Sequence, residues 1–464
     1  MRSHGFHRIA VACILTCALM TACGGGGSGA GGMTTPQTYS VGGSVAGLAA
    51  GESVKLADNG NDILTVSSDQ TFVFATKVAQ SGSYAVTVTG QPKAQQCTVT
   101  AGSGANVMAN VTNVAVTCTN LPQYAYVVND GDDTVSQYAI DASGTLSALA
   151  VATVPTGHSP QSITVDPSNK YAYVTNLTDD TVSQYVIQSD GTLAPNAPAT
   201  VATGHGPWAL TFSPSGAWAY VVNSTDGTIS QYSVGASGAL TATATAPVAT
   251  GNTPWNITLS PDGKYAYVSN HGSTAPGGMT LSQFAVDATT GALTPLNPPT
   301  VATAFPYPGG IAVDPTSAYA YLSNINGDSV SEFSIGTSGA LTSLNPASVP
   351  TGTEPVFLAF DPTGKYAYEA NYTVDVSAGA GTVSQYALGS GGQLTPLSPA
   401  TVAAGIGPGW IAFDAFGKYA YVVNLGNGTQ PGTVSEYSIG TGGALTLIGT
   451  ATTGRSAFMI ATAY

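Results

Sequence analysis

A short motif occurs seven times in the sequence. In this motif two tyrosines flank an alanine, and a run of residues that favour β-strands leads to an asparagine. Each unit that carries it also holds a TVSQY-type segment, an SGTL-type segment and an SITVDP-type segment, so four short strands are expected per unit. Such strands are apolar on both faces and need a neighbour on each side. The repeat therefore predicts an all-β fold, a propeller with seven blades. The motif copies, one of which starts with Trp218, begin at residues 124, 171, 218, 265, 319, 366 and 419.

The two ends of the repeat array predict how the ring closes. The first motif, at Tyr124, has no SITVDP-type strand before it, whereas a spare strand, Phe458 to Tyr464, follows the last unit. We expect this C-terminal strand to be the innermost strand of the first blade, because closure of the ring removes exposed strand edges.

Composition agrees with short strands and limits the possible partners. The 464 residues include 57 glycines and only 7% charged residues, which favours strands and tight turns over long helices. Formal net charge is −14, and without Arg2 and Arg8 of the leader 8 basic residues remain against 24 acidic ones, or −16. A chain this acidic repels nucleic acid and anionic lipid headgroups, so we predict no nucleic-acid partner.

The N-terminus predicts export and a lipid anchor. Residues 1–22 combine Arg2 and Arg8 with an apolar run, Ile9 to Met20, that is too short to cross a bilayer. The run ends in MTAC, which resembles a bacterial lipobox and implies lipidation of Cys23; an ordinary cleaved signal is the alternative. Residues 23–35 then form a lipidated, glycine-rich tether. We expect a location in the cell envelope, on the periplasmic or surface side of the outer membrane, with membrane contact through the lipid alone.

Residues 36–120 alternate polar and apolar positions between turn signals, which predicts a small β-sandwich. This segment resembles the Ig-like or prealbumin-like modules that stand between an anchor and a working domain. Cys97 and Cys118 are the pair that remains once the leader and Cys23 are set aside, so they are expected to form a disulfide. No catalytic motif occurs here, and we interpret the segment as a spacer before the propeller at residues 121–464.

The repeat resembles the YVTN and lactonase-type seven-bladed propellers, the family that contains bacterial 6-phosphogluconolactonase. The resemblance rests on the YVTN sequence at residues 173–176 and on the DP-x-G-K turn at residues 361–365, and it covers residues 121–464. It implies the fold strongly and the activity weakly, because the matching residues are those that build blades. The motif residues are expected to fill the space between blades and to cap turns.

Differences between the repeats indicate which face of the propeller binds a ligand. The TG-x-x-P loops and the loops after the motifs should share one face, and the long insertions, at residues 271–279, 372–381 and 425–432, all fall there. His158, His205, His271 and Arg455 belong to that face, whereas the lysines of the propeller belong to the opposite turns. We therefore predict that the TG-x-x-P face binds the ligand.

Two functional classes remain open. The favoured one is a binding protein for a glycan, peptide or other envelope ligand; the alternative is a lactonase-like hydrolase of a carbohydrate lactone, as the family resemblance implies. In the second case His158 or His205 would be the general base and Arg455 would stabilise the oxyanion. The face carries too little positive charge for a phosphorylated lactone. The predicted ligand-binding residues are Gln161, Trp208, Asn252, Trp255, Asn256, His271, Tyr307, Glu354 and Trp410.

The sequence also allows predictions about metals, cofactors, oligomeric state and Glu369. No metal-binding or cofactor motif is present, so we predict neither a metal nor a cofactor, and the chain is expected to act as a monomer. Glu369 replaces the valine of the motif in blade six. We expect its carboxylate to reach the strand end and water; the alternative places it toward the channel as a charged partner.

Overall fold

A computed structural model describes residues 36–244, 246–272, 279–373, 380–428 and 430–464. The leader, Cys23 and the tether lie outside the described residues, as do the middle parts of the long loops in blades four and six. Within the described ranges, no helix has the length and apolar character needed to cross a membrane.

The first ten strands form two four-stranded sheets and one two-stranded sheet. They are β1 Thr38–Tyr39, β2 Val41–Ala46, β3 Val54–Asp58, β4 Asp62–Val66, β5 Gln70–Val73, β6 Val78–Ala79, β7 Tyr84–Gly90, β8 Gln95–Thr100, β9 Ser103–Gly104 and β10 Val111–Asn120. Their orders are β5-β2-β10-β8, β4-β3-β7-β9 and β1-β6. Val41, Leu56 and Phe74 belong to a single buried cluster contributed by strands and turns of both larger sheets. The predicted disulfide is present between Cys97 and Cys118, which face each other across β8 and β10.

The remaining strands form seven further antiparallel sheets, six of four strands and one of five, and each sheet is one blade. The chain runs through β11 Gln123–Asn129, β12 Thr134–Ile140, β13 Leu146–Pro155, β14 Pro160–Val165, β15 Tyr171–Asn176, β16 Thr181–Ile187, β17 Leu193–Ala202, β18 Pro207–Phe212, β19 Trp218–Asn223, β20 Thr228–Val234, β21 Leu240–Ala242, β22 Val248–Ala249, β23 Pro254–Leu259, β24 Tyr265–Asn270, β25 Thr280–Val286 and β26 Leu293–Ala302. It continues through β27 Pro308–Val313, β28 Tyr319–Asn324, β29 Ser329–Ile335, β30 Leu341–Pro350, β31 Pro355–Phe360, β32 Tyr366–Asn371, β33 Thr382–Leu388, β34 Leu394–Ala403, β35 Pro408–Phe413, β36 Tyr419–Asn424, β37 Pro431–Ile439, β38 Leu445–Arg455 and β39 Ala457–Ala463. Short 3-10 helices follow β11 and β28, at Asp130–Asp132 and Ile325–Gly327.

The predicted ring closure is confirmed. In the first blade the strand order is β13-β12-β11-β39, so the C-terminal strand is the innermost strand and pairs with β11 from Tyr124–Ala463 to Asn129–Ala457. The innermost strands of the other six blades are β14, β18, β23, β27, β31 and β35.

The motif residues build the blades, as predicted. The hydroxyl of Tyr126 donates a hydrogen bond of 2.7 Å to the carbonyl of Gly191 in the next blade, and the equivalent tyrosine does so at every seam. Gly191 has a positive φ of 82°, and a Cβ on it would lie 2.1 Å from the ring of Tyr124. Glycine is therefore required at this turn. The amide of Asn129 donates to Ser136 at 2.9 Å and links the motif strand to the next strand.

Candidate functional site

The TG-x-x-P loops and the loops after the motifs lie on one face of the propeller, here called the upper face. The amide of Leu177 donates to the carbonyl of Ser159 at 3.0 Å, and that of Thr178 donates to the carbonyl of His158 at 3.3 Å. Two loops from different parts of the repeat are thus hydrogen-bonded together, in agreement with the sequence analysis.

The TG-x-x-P loops share one backbone geometry. In every blade the residue just before the innermost strand has a positive φ, a conformation that costs free energy in residues other than glycine and that commonly occurs at binding loops. The residue at this position varies between the blade junctions, from glycine and serine to threonine, tyrosine and glutamate. These residues are Ser159, Gly206, Thr253, Tyr307, Glu354, Gly407 and Ser456.

The three candidate catalytic residues each pair with a carboxylate at their own blade junction; we call these contacts the rim pairs. His158 Nδ1 lies 2.9 Å from Asp179 Oδ1, and His205 Nδ1 lies 2.7 Å from Asp180 Oδ2. Arg455 Nε donates to Asp132 Oδ1 at 2.7 Å. The two histidine pairs adjoin, because Asp179 and Asp180 are neighbours in the chain.

The rim pairs leave their side chains in water. The side chains of His158 and His205 are each 71% exposed and that of Arg455 is 54% exposed. A hydrogen bond donated to the aspartate raises the pKa of both histidines above the ordinary value of 6.5. The aspartate holds Nδ1 of each imidazole and leaves Nε2 as the second ring nitrogen, the arrangement that orients a general base.

The upper end of the central channel is surrounded by a second cluster, here called the aromatic mouth. The ring of Trp208 lies 6.4 Å from that of Trp255 and 6.0 Å from that of Phe458. The ring of His271 lies 6.0 Å from Trp255 and 5.0 Å from Tyr307. Phe357 and Trp410 stack on each other with ring centroids 3.3 Å apart and complete the set.

Five residues of this cluster were predicted as ligand-binding residues, namely Trp208, Trp255, His271, Tyr307 and Trp410. Phe357 and Phe458 were missed. The signal was present, because both occupy the second or third position of an innermost strand, as the three tryptophans do. Aligning the innermost strands by position, and not by residue type, would have identified them.

His271 differs from the rim histidines in its surroundings. Its amide donates to the carbonyl of Thr253 at 2.9 Å, which ties the residue to the TG-x-x-P loop. Nδ1 is buried and has no hydrogen-bond partner among the described residues. Burial of the ring lowers the pKa of His271, so the imidazole is neutral at pH 7.

Gln161 and Asn256 are buried at the channel and hydrogen-bonded within the protein. Gln161 Nε2 donates to Asp130 Oδ1 at 3.1 Å, and Asn256 Oδ1 accepts from the amide of Ile311 at 3.1 Å. Below the aromatic mouth lies a cavity of about 470 Å³ to which the innermost strands contribute. Asn256 is among its lining residues, which are otherwise mainly aliphatic, aromatic or threonine.

The other two predicted ligand-binding residues, Asn252 and Glu354, are exposed in TG-x-x-P loops of the upper face. The carbonyl of Asn252 accepts a hydrogen bond of 3.0 Å from Gly272, and the amide of Glu354 donates to Asp328 Oδ1 at 2.9 Å. They flank the mouth on blades four and six.

The expectation that the Glu369 carboxylate reaches water is wrong. Glu369 is 0% exposed, because the fourth motif position faces the neighbouring blade and not the strand end. Ser323 of blade five donates to Glu369 Oε2 at 2.8 Å, while Oε1 has no partner among the described residues. Burial raises the pKa of Glu369 to about 8.

No group of three or more histidine, cysteine, aspartate or glutamate side chains is placed to hold a metal ion in the part of the chain that the structure describes.

Comparison with known proteins agrees with this geometry. The sequence profile of the family described as lactonase, 7-bladed β-propeller, matches residues 50–353 and 273–398. The chain belongs to this lactonase family. No curated protein matches the chain.

Solved structures resemble the chain at low sequence identity. A candidate 6-phosphogluconolactonase from Bacteroides fragilis is 19% identical, with a TM-score of 0.62 over 74% of this chain and 98% of its own. The periplasmic gluconolactonase of Pseudomonas aeruginosa is 16% identical, with a TM-score of 0.60 over 74% of this chain and 99% of its own. At these identities the likeness concerns the fold.

Proposed function

We propose that this protein is a lactone hydrolase that binds its substrate at the aromatic mouth. Membership of the lactonase family supports hydrolysis, and thus the alternative of the sequence analysis over simple ligand binding. The observation that carries the proposal is the arrangement of the mouth itself. Aromatic rings from separate blades surround a neutral histidine above a cavity, so a flat ring has apolar faces to contact and a polar group within the same cluster.

The substrate that fits this mouth is an unphosphorylated carbohydrate lactone. The apolar face of a sugar ring packs well on tryptophan. A phosphate dianion would need unpaired cations, and the upper-face cations His158, His205 and Arg455 are each paired with an aspartate. We therefore propose that a phosphate group on the substrate weakens binding.

Arg455 has a chemical role under the same proposal. It would stabilise the oxyanion of the opening ring. Arg455 is well anchored for such a role, because Nε donates to Asp132 and Nη2 donates to the carbonyl of Gly131 at 2.8 Å.

The activity is tested on purified mature protein with a panel of aldonolactones and their 6-phosphorylated forms, with acid release followed above the spontaneous rate. We expect turnover of the unphosphorylated lactones. Trp255→Ala should lower kcat/KM at least about tenfold, since a buried aromatic contact contributes on the order of 1–3 kcal/mol. Trp218→Tyr, which restores the residue of the other repeats away from the mouth, is the matched control and should retain wild-type kinetics.

Absence of turnover on every lactone would reject the enzyme. Binding of glycans or peptides by wild type, lost in Trp255→Ala, would then favour the binding class of the sequence analysis.

We propose that the enzyme works in the cell envelope, exported by its leader and anchored through Cys23. The proposal draws on the lipobox-like sequence and on the Cys97–Cys118 disulfide, a bond typical of exported proteins. Labelling with a fatty-acid analogue should mark wild type and not Cys23→Ser, and the variant should leave the membrane fraction. Equal membrane association of the two proteins would reject the anchor.

A further inference from the structure

We propose that His271, and not a histidine of the rim pairs, is the general base of the reaction. This inference rests on the proposed lactone hydrolysis and assigns its proton-transfer step. It follows from the position of the ring and from its buried, unpartnered nitrogen.

The position of His271 places it among the groups that would hold the substrate. Its ring lies between those of Trp255 and Tyr307, with centroid distances of 6.0 and 5.0 Å. The amide hydrogen bond to Thr253 fixes the start of its loop. A lactone that packs against Trp255 is therefore next to this imidazole.

Nδ1 of His271 has no hydrogen-bond partner among the described residues. Buried polar atoms nearly always have a hydrogen-bond partner, and exceptions often mark a site for water or a ligand. Nδ1 of His271 is such an exception, whereas Nδ1 of His158 and of His205 is hydrogen-bonded to an aspartate carboxylate. Because this nitrogen is buried, a water molecule or the substrate reaches it only when the neighbouring rings move.

The surroundings of His271 favour proton acceptance. Burial lowers the pKa of His271, so its ring is neutral and able to accept a proton at pH 7. The aspartates raise the pKa of His158 and His205, which increases their protonated fraction. The rim side chains are also surrounded by bulk water, which weakens the electrostatic interactions that a reaction can use.

In the proposed reaction, His271 passes one proton from the attacking water to the leaving oxygen. His271 Nδ1 takes a proton from water as the water oxygen bonds to the lactone carbonyl carbon. The ring carbon–oxygen bond then breaks, and the leaving oxygen receives that proton from the imidazolium. One water is consumed, a hydroxy acid forms and His271 returns to its neutral state.

The test compares His271→Gln with the matched variant His205→Gln in the mature protein. Loss of a general base lowers kcat by about 10² to 10⁴, so we expect this loss in His271→Gln and a change within about threefold in His205→Gln and His158→Gln. A sugar lactam that cannot be hydrolysed serves as the binding probe, followed by tryptophan fluorescence. Its affinity should change much less than kcat in His271→Gln.

A purely structural role for His271 is distinguished by rescue. In His271→Ala, added imidazole should restore part of kcat, and His271→Asn provides a second variant if the first does not fold. Retained turnover in His271→Gln, or a loss of about 100-fold in a rim variant alone, would overturn the assignment while lactone hydrolysis stands. A wild type without any lactone turnover would instead overturn the proposed function and this assignment with it.

Discussion

The carboxylate of Glu436 in blade seven accepts a hydrogen bond of 3.1 Å from the backbone amide of Leu146 in blade one, across the seam where the ring closes. The same bond joins every pair of neighbouring blades. At five seams the acceptor is a glutamine, as at Gln137, which accepts from Leu193 at 2.6 Å and whose Nε2 donates to Val151 at 2.9 Å. The other acceptors are Gln184, Gln231, Gln283, Glu332 and Gln385.

We expect Glu436→Gln to stabilise the protein at pH 7. Glu436 Oε2 is buried without a partner among the described residues, and burial raises the pKa of Glu436. Glutamine would replace this unpaired oxygen with an amide group that can donate a hydrogen bond. We expect the free energy of unfolding to rise by about 1 kcal/mol. Because burial raises the folded-state pKa of Glu436, ionisation of its carboxyl group destabilises the folded protein as pH rises through that pKa. At pH 4 the carboxyl group is mostly protonated, so the gain in stability from Glu436→Gln should be smaller. Urea unfolding measures it, Gln385→Glu is the reverse control, and a gain independent of pH would contradict the explanation.

Glu369 should make the free energy of unfolding decrease as pH rises from 4.5 toward 8. Its folded-state pKa of about 8 lies above the ordinary 4.5, so the stability that it contributes is present below pH 4.5 and is lost as pH rises toward 8. The loss is on the order of a few kcal/mol. Glu369→Gln, which preserves the shape, should lack this slope. Parallel unfolding free energies for wild type and variant from pH 5 to 9 would contradict it.

The acid limb of lactone hydrolysis should identify the base. Burial lowers the pKa of His271 from 6.5, so the midpoint of the acid limb of kcat/KM should lie below pH 6.5. A rim base would place the limb above pH 6.5, because the aspartates raise the pKa of His158 and His205. Initial rates from pH 4.5 to 8 separate the two positions of the limb.

Deletion of residues 456–464 should abolish cooperative folding of the propeller. β39 supplies the innermost strand of blade one, so its loss exposes β11 and opens the ring. Deleting Tyr464 alone, which lies beyond the strand, is the control and should leave cooperative folding intact. A nine-residue deletion that melts like the full chain would contradict the closure.

Replacement of Cys97 and Cys118 by alanine should destabilise the N-terminal sheets and spare the propeller. The bond joins residues 21 apart, and closing such a loop contributes about 3 kcal/mol. Calorimetry should show a lower first transition and an unchanged second one. A shift of both transitions together would contradict our proposal that residues 36–120 and 121–464 fold as separate domains.

The repeat pattern alone predicts the number of blades, the identity of their strands, the ring closure and the face that carries the variable loops. The sequence also identifies most of the aromatic mouth. These features recur in every blade and depend only on contacts between neighbouring blades. The regular spacing of Tyr126, Gly191 and their equivalents in the sequence therefore predicts them.

Which side chains meet depends on the three-dimensional packing of the loops. Arg455 and His158 bind equivalent aspartates, Asp132 and Asp179, whereas His205 at the same loop position binds Asp180. The isolation of His271 and the burial of Glu369 likewise depend on loops and strands from adjacent blades. Hydrogen bonding and desolvation act through space, and the repeat leaves these non-repeating residues without a pattern from which their partners can be predicted.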